Sequence, residues 1–541
     1  GAAERPSAEG GLFRTPFGLN AGPESADWLS LFFASYWQRF QAIVEGFVEV
    51  KLKPAIRARL PEIFKDSFTI RKFTLGDSAP TFSHMTARSR SNNDATIRVQ
   101  GTWSTNLTAV LGFKDGLTLG VESISLKAEG AFIPEIAVGD SPQDAWNNLS
   151  SNWGVTFYLV DQPDMKLGFS GVANLAELPL IRSTVRSAIQ EVICSAIVCP
   201  NALTFTLASP NDLTATTIST GSMVPPAGAL QVSLQRVESE SGDFDFFGLM
   251  KNKDERYMTL KLGSTMYKFN NVEIGMQRSL MVHDVRQRLL LDIWDEDYLT
   301  ADDHLGRAGP FLVQEAVALT GTKVPLKRLD KAGQECGELV MDVVWLGLHS
   351  KRLSSHGGII RLEVRSISLP VDAGSKVKLR ARLEAKEVSK TIESGVAVRR
   401  QTLLTAPDQQ RWEAMYKELA STGMSKKAVD MIQAAQKKHF GPQAKIGLVT
   451  VLHLLATAVE LDDGVLHLSV LVYNNAEKGG SFTEVGTPYT APLAKVAQSA
   501  DLALKGPFQC GLIPKYGPIE VDVDVRIWGL SPADVPESGD C

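Results

Sequence analysis

Cysteine is scarce in this chain. Five occur in 541 residues, at Cys194, Cys199, Cys336, Cys510 and Cys541, and no CxxC pair is among them. An odd, scattered set excludes a zinc ribbon or a disulfide-stapled scaffold and fits a reducing compartment. Long hydrophobic runs are also missing, since none reaches the roughly 18–20 apolar residues that a membrane-spanning helix needs. Charge of one sign is not in excess. The formal net charge of -5 excludes a global basic field for nucleic acid, so any anionic partner must meet a local patch. Only eight histidines occur, with no two at metal-ligand spacing, and GxSxG, P-loop, HExxH and GxGxxG patterns are absent. His283 and Asp284 are neighbours on a strand-like segment and would point to opposite faces, which makes a poor catalytic dyad. No enzyme is expected.

What is present is ordinary in bulk: 44% hydrophobic and 22% charged residues. The length is too great for one core and implies two to four domains. The chain begins at Gly1 rather than Met, which reads as a fragment or a processed form and leaves open whether an N-terminal anchor or targeting peptide has been removed. The triplets at Asn106 and Asn148 fit glycosylation sequons, a pattern common by chance.

Residues 1–23, rich in Gly, Pro, Ala and Ser, read as a linker. From Asp27 to about Arg57, apolar residues fall at helical spacing (Trp28, Leu29, Phe32, Phe33, Tyr36, Trp37, Phe40, Ile43, Val44, Phe47), which predicts one long helix with a wide aromatic stripe. Strand-like segments follow, then a second helix over 180–198. A short linker at 222–228 precedes a change to short strands and turns, the pattern of a β-sandwich. A polar stretch at 349–356 opens a third unit of strands interrupted by a predicted helical pair within 405–442, and 531–541 reads as a tail.

One loop stands apart chemically. The apolar strand Leu289–Trp294 runs into Asp295, Asp297 and Asp303. Carboxylates crowded in this way are either well solvated or hold a hard cation, and calcium prefers six to eight oxygen ligands in a flexible cage.

The middle unit resembles a C2 domain, in particular the first C2 domain of extended synaptotagmins. The resemblance rests on Gly242-Asp243, on Gly248 to Tyr257 (GLMKNKDERY) and on the Asp295-x-Asp297-x5-Asp303-x-Leu305-Gly306 loop. It implies calcium held by Asp243, Glu255, Asp295, Asp297 and Asp303. Glu255 stands where the family has an Asp, and the family's Asn-Pro-x-Trp turn is replaced by Ile274-Gly-Met-Gln-Arg. The first unit resembles an SMP domain, the lipid-harbouring module of extended synaptotagmins and tricalbins. That resemblance rests on Glu24–Trp37, on Phe68–Pro80 and on the stretch from Phe157 to Pro200, which holds Gly171-Val-Ala-Asn174, Glu177-Leu-Pro179 and Val198-Cys-Pro200. The third unit resembles a degenerate C2 domain. Val472-Tyr-Asn-Asn-Ala-Glu-Lys-Gly stands at the calcium-loop position, so no calcium is expected there. Its first strands are basic (Lys376, Lys378, Arg380, Arg382, Lys386, Lys390, Arg399, Arg400), which suits an anionic membrane surface.

The expected architecture is therefore multidomain α+β and all-β: an SMP tubular, TULIP-like lipid-binding domain over 24–222, a C2 β-sandwich over 228–348, and a degenerate C2-like β-sandwich over 356–530 carrying the helical insertion. Apolar residues expected to contact lipid are Phe32, Tyr36, Phe40, Ile97, Val99, Phe157, Leu159, Val185 and Ile189. The resemblance implies passive glycerophospholipid transfer and tethering, a homodimer through the SMP unit, and a cytosol-facing place at endoplasmic reticulum–plasma membrane contacts, with no nucleic-acid partner. The contrasting reading is a calcium-responsive tether or scaffold whose SMP unit only dimerises.

Overall fold

The structure, a computed structural model, describes residues 25–536 apart from 61, 92–93, 114–117, 137–152, 172–178, 208–216, 240–255, 271–274, 276, 297–301, 329–332, 351, 371–375, 387, 394–396, 399–442, 475–480, 507 and 514–516. The expected linker 1–23 and helical insertion 405–442 thus lie outside the described residues. By compactness the chain divides into two units. The first gathers the described residues up to Glu135 and from Gln162 to Ile193; the second gathers those of 136–161 and from Cys194 onward.

The chain enters the first unit as helices. The single long helix predicted from spacing is instead α1 (Asp27–Ser35), α2 (Trp37–Phe47), a π-turn over Val48–Leu52, α3 (Lys53–Arg59) and α4 (Glu62–Lys65). Tyr36 breaks the first pair with φ -108° and ψ 10°. The π-turn has a covalent reason. Pro54 opens α3, and its ring cannot donate to the turn before it and crowds the carbonyl there, so the helix widens upstream.

The strands that follow are β1 (Thr69–Thr74), β2 (Thr81–Ser91), β3 (Asp94–Thr105), β4 (Thr108–Gly112), β5 (Thr118–Ile136), β6 (Trp153–Leu159), β7 (Asp164–Gly171), β8 (Asn201–Leu207) and β9 (Thr217–Met223). In the first unit β5 is the spine: it pairs with β4 along one edge of its start, with β3 farther on, and with β7. Trp37, Ile56, Leu60, Phe113, Leu119 and Val185 form the core between these strands and the helices, the last from helix Pro179–Ile197. In the second unit β6 pairs with β8 and β8 with β9.

The first sandwich comprises β10 (Gly228–Ser239), β11 (Arg256–Leu262), β12 (Thr265–Asn270), β13 (Gln277–Val282), β14 (Arg288–Asp295), β15 (Asp303–Leu312), β16 (Lys323–Lys327) and β17 (Glu335–His349). Period-two burial supplies its core: Leu230, Val232 and Leu234 of β10, and Leu289, Leu291 and Ile293 of β14, are each at most 3% exposed. His283 and Asp284, read from sequence as strand residues, sit in the turn after β13. Both are buried in structural bonds: His283 Nδ1 lies 2.5 Å from the Val224 carbonyl, and the Asp284 carboxylate accepts from the Tyr158 hydroxyl at 2.9 Å.

The second sandwich comprises β18 (Gly358–Pro370), β19 (Lys376–Ala385), β20 (Val388–Glu393), β21 (Ala397–Val398), β22 (Gln443–Ala456), β23 (Val465–Asn474), β24 (Ser481–Pro492), β25 (Ala503–Lys505), β26 (Phe508–Ile513) and β27 (Gly517–Pro532). One sheet is built on β22-β18-β27, the other on β20-β19-β23-β24. Val377, Leu379, Ala381 and Leu383 alternate inward against Leu362, Val364, Val523 and Val525. The two sandwiches share a backbone ladder, with β17 paired to β27 from Leu346↔Pro532 to His349↔Gly529. Gly529 is required there, because a Cβ would collide with the Arg352 carbonyl oxygen.

Candidate functional site

The first candidate region is built by α1. Its apolar residues are too many for one buried stripe, and the surplus faces outward: Trp28 is 57% exposed, Leu31 68%, Phe32 46% and Tyr36 42%. Their spacing puts them on one helix face. Behind them Phe33 stacks on Phe40 with ring centroids 4.7 Å apart and lies 5.0 Å from Phe82 of β2. Phe32 lies 5.0 Å from Tyr36 and 6.4 Å from Phe40. The run is anchored by Trp37, whose Nε1 donates to the Gly76 carbonyl at 2.9 Å, beside the Gln41 amide at 2.5 Å. Gly76 has φ +74°, and a Cβ there would come within 2.6 Å of the Asn106 carbonyl oxygen, so this turn needs glycine.

Of the nine residues expected to contact lipid, Phe32, Tyr36 and Phe40 share this aromatic run. Val185 is fully buried in the first unit's core, with Phe40 and Ile189 half-buried against it. Ile97 and Val99 share one face of β3, facing Phe132 and Gly130 of β5, and Val99 is only 2% exposed. Phe157, half-buried, and Leu159, buried, belong to the second unit on β6. Sequence reasoning missed Trp28 and Leu31 as exposed contacts. The signal was their i, i+3, i+4 relation to Phe32, which hydrophobicity alone reads as core.

The second region is the acidic loop. β14 ends at Asp295, 5% exposed, and the ladder sets Asp295 opposite Asp303 on β15 and opposite Arg256 on β11. Like charges placed directly opposite across two strands are unfavourable unless a cation joins them. Two of the five expected ligand positions are thus paired by the backbone. Asp243, Glu255 and Asp297 lie outside the described residues, and among the described residues no three acidic, His or Cys side chains form a metal-holding group.

The platform under this loop is well defined. Tyr257 stacks on Trp294 at 6.2 Å and an interplanar angle of 10°, His304 meets Trp294 edge-on at 4.8 Å, and the Lys268 ammonium sits 3.7 Å over the Tyr257 ring. The Tyr257 hydroxyl donates to Asp302 Oδ2 at 2.7 Å. Burial, then the Asp302 bond and charge, then the Glu296 charge push the phenol up to about 12, so it remains a donor at any physiological pH. One layer away, Asp292 accepts from Arg307 Nε at 2.6 Å and Arg307 NH2 at 2.9 Å, and its Oδ1 lies 2.9 Å from His304 Nε2. Asp292→Ala should destabilise the chain by roughly 3 kcal/mol, because it leaves the partly buried Arg307 guanidinium without its counter-ion. Urea unfolding of the variant against wild type measures this; a shift under about 0.5 kcal/mol, the scale of an exposed pair, would contradict it.

The third region is the basic strand β19. Its residues alternate as expected, with Lys376, Lys378, Arg380 and Arg382 outward. Most of their charge is met on the same surface. Glu393 lies 3.4 Å from Lys378 and 2.8 Å from Arg380, Glu484 3.8 Å from Arg380, and Glu384 3.0 Å from Arg382. Burial alone would raise the Glu393 carboxyl, but the bond from Arg380 and the charges of Lys378 and Arg380 outweigh it and hold the carboxyl low. The Lys376 and Lys378 ammonium groups also lie 5.0 Å and 4.6 Å over the rings of Tyr473 and Phe482.

An SMP module followed by two C2 β-sandwiches is the class of protein that this architecture defines. A solved structure of the SMP–C2A–C2B portion of extended synaptotagmin 2 matches 94% of this chain and all of that one, with a TM-score of 0.53 and 15% sequence identity. In sequence, human extended synaptotagmin-3 is 25% identical over 292 residues, covering 52% of this chain and 31% of the relative. Human extended synaptotagmin-1 is 23% identical over 297 residues, again covering 52% of this chain. The chain is an extended synaptotagmin- and tricalbin-like protein, and it spans about a third of the length of the relative first named. No protein-family model matches it. Among the described residues, no helix is long and apolar enough to cross a membrane.

Proposed function

We propose that the chain carries glycerophospholipid between two membranes and helps hold them together, with the SMP module at 24–222, a calcium-regulated C2 domain at 228–348 and a calcium-independent C2-like module at 356–530. The observation that carries this reading is the exposed stripe Trp28, Leu31, Phe32 and Tyr36 beside a partly buried aromatic run. Covering each such side chain is worth roughly 1.5–3 kcal/mol, so the stripe favours an apolar occupant. An acyl chain that leaves a bilayer for such a surface trades one apolar environment for another, so transfer needs no energy source. The similarity to extended synaptotagmins supports the same reading, in which the chain works as a homodimer on the cytosolic side of endoplasmic reticulum–plasma membrane contacts. No catalytic step is proposed.

A second reading draws on the same stripe. Two copies that bury it against each other would leave a tether that dimerises and carries no lipid. Native mass spectrometry of the full chain separates the two: a dimer that loses bound phospholipid on activation supports transfer, whereas a lipid-free dimer supports the tether.

The compensated surface of β19 carries its own prediction. In chelator, the full chain should bind phosphatidylserine vesicles weakly and less so as salt rises, since exposed charges are screened over about 8 Å at physiological ionic strength. Glu384→Gln with Glu393→Gln should strengthen this binding, because each freed basic residue contributes about 1 kcal/mol near an anionic surface. The sign with pH is the same. The fold favours ionised Glu393, so that contribution is present above the ordinary carboxylate pKa and lost as pH falls through the lowered one, where vesicle binding should rise. Unchanged vesicle sedimentation by the double variant would leave this unit without a membrane role.

A further inference from the structure

The first unit carries a second, polar site on the sheet of β2, β3, β5 and β7. The register sets Thr81 opposite Thr102, Thr102 opposite Lys127, and Lys127 opposite Asp164. The next row on the same face is Ser104, Ser125 and Lys166. Period-two alternation therefore brings four hydroxyls, two ammonium groups and one carboxylate to one surface. The surface is a cleft of about 410 Å³, because the turn before β2 walls it with Ser78 and Ala79. That wall is fixed in place: the Trp103 indole donates to the Ser78 carbonyl at 2.8 Å, and the Thr105 hydroxyl to the Leu75 carbonyl at 2.9 Å.

The charges are arranged for a ligand rather than for each other. Among the described residues no ion pair ties Lys127 or Lys166 to a carboxylate, although Asp164 faces Lys127 across the ladder. The two lysines are diagonal neighbours on adjacent strands, about 7–8 Å apart at the backbone, a separation that one tetrahedral oxyanion can bridge. Ser125 adjoins both as a donor, two residues from Lys127 and opposite Lys166, and Ser104 lies beyond it on β3. Asp164 would repel a bare phosphate, but it suits a cation attached to one.

We propose that this cleft binds a phosphoryl group carrying an ammonium a short linker away, as in phosphorylethanolamine. Lys127 and Lys166 take the phosphate and Asp164 takes the ammonium. The ligand chemistry is the same whether it comes as a soluble phosphorylamine or as a lipid headgroup. The site is separate from the α1 stripe and stands whether or not the chain transfers lipid.

The test is titration calorimetry on the full chain with phosphorylethanolamine, inorganic phosphate and ethanolamine in turn. Phosphorylethanolamine should bind saturably, with Kd on the order of a millimolar or tighter, and above either fragment. Lys127→Gln with Lys166→Gln should weaken it about tenfold or more, since two charge-assisted contacts are lost. Asp164→Asn should abolish the preference over inorganic phosphate. All three side chains are exposed, so unchanged circular dichroism is expected throughout. Competition with phosphatidylethanolamine vesicles then assigns the source: displacement marks a membrane-borne headgroup, its absence a soluble ligand. No saturable heat with the wild-type chain, an unaffected double variant, or a preference that survives Asp164→Asn would overturn the proposal.

Discussion

Replacing Asp295 and Asp297 together with Asn should abolish calcium-dependent binding of the chain to phosphatidylserine vesicles. The reason lies in the ladder. Asp295 and Asp303 face each other across β14 and β15, so a cation that joins them draws on both. Calcium needs six or more oxygens, and removing two carboxylates takes away both charge and bidentate capacity. The loss should exceed a hundredfold in apparent calcium affinity. Vesicle sedimentation from chelator to millimolar calcium measures the effect. A wild-type chain whose binding ignores calcium would end the calcium assignment for this loop.

A charge placed in the exposed stripe should empty the chain of lipid. Leu31→Glu and Phe32→Glu each put a carboxylate where the proposed acyl chain lies, and the transfer of an unpaired charge into hydrocarbon costs several kcal/mol. Both positions are solvent-exposed, Leu31 at 68%, so the cost falls on binding and not on folding. Phospholipid recovered by solvent extraction should drop at least tenfold while circular dichroism stays unchanged. Val99→Asp provides the contrast. Val99 is 2% exposed, so a carboxylate there should cost folding itself, roughly 3 kcal/mol or more. Lipid retained by Leu31→Glu and Phe32→Glu at the wild-type level would show that the stripe does not hold the acyl chain.

Most of the architecture was legible in the residues, and what was missed has physical causes. β14 was read closely because its apolar run is bounded by charge, and β19 because Val377, Leu379, Ala381 and Leu383 alternate without exception. β2 was not read, since Thr81–Ser91 is polar on both faces and its pairing with β3 supplies what its composition does not. The helical entry was read as continuous because spacing records a face and not its interruptions; Tyr36 and the turn before Pro54 break the helix without breaking the period. At the candidate sites, the acidic cluster was visible because crowded carboxylates are costly. The hydroxyl and lysine rows of the polar cleft were not, because they come from four strands and only the register unites them. The basic strand was read as a net-positive face for anionic lipid, whereas Glu393 and Glu484 arrive from β20 and β24 to meet most of its charge.

The ladder between β17 and β27 ties events far apart in time. Its partners lie 182 residues apart in sequence at the contact of His349 with Ser531. A ribosome makes β17 and completes the rest of the first sandwich long before β27 exists. At roughly 5–20 residues per second, that edge waits some ten seconds or more for its partner, and β18 waits with it. An exposed strand edge is a template for the wrong neighbour. Fragments that end before Gly517 should therefore aggregate, and the first sandwich alone should be more soluble when cut before its long last strand reaches Leu346 than when cut after it.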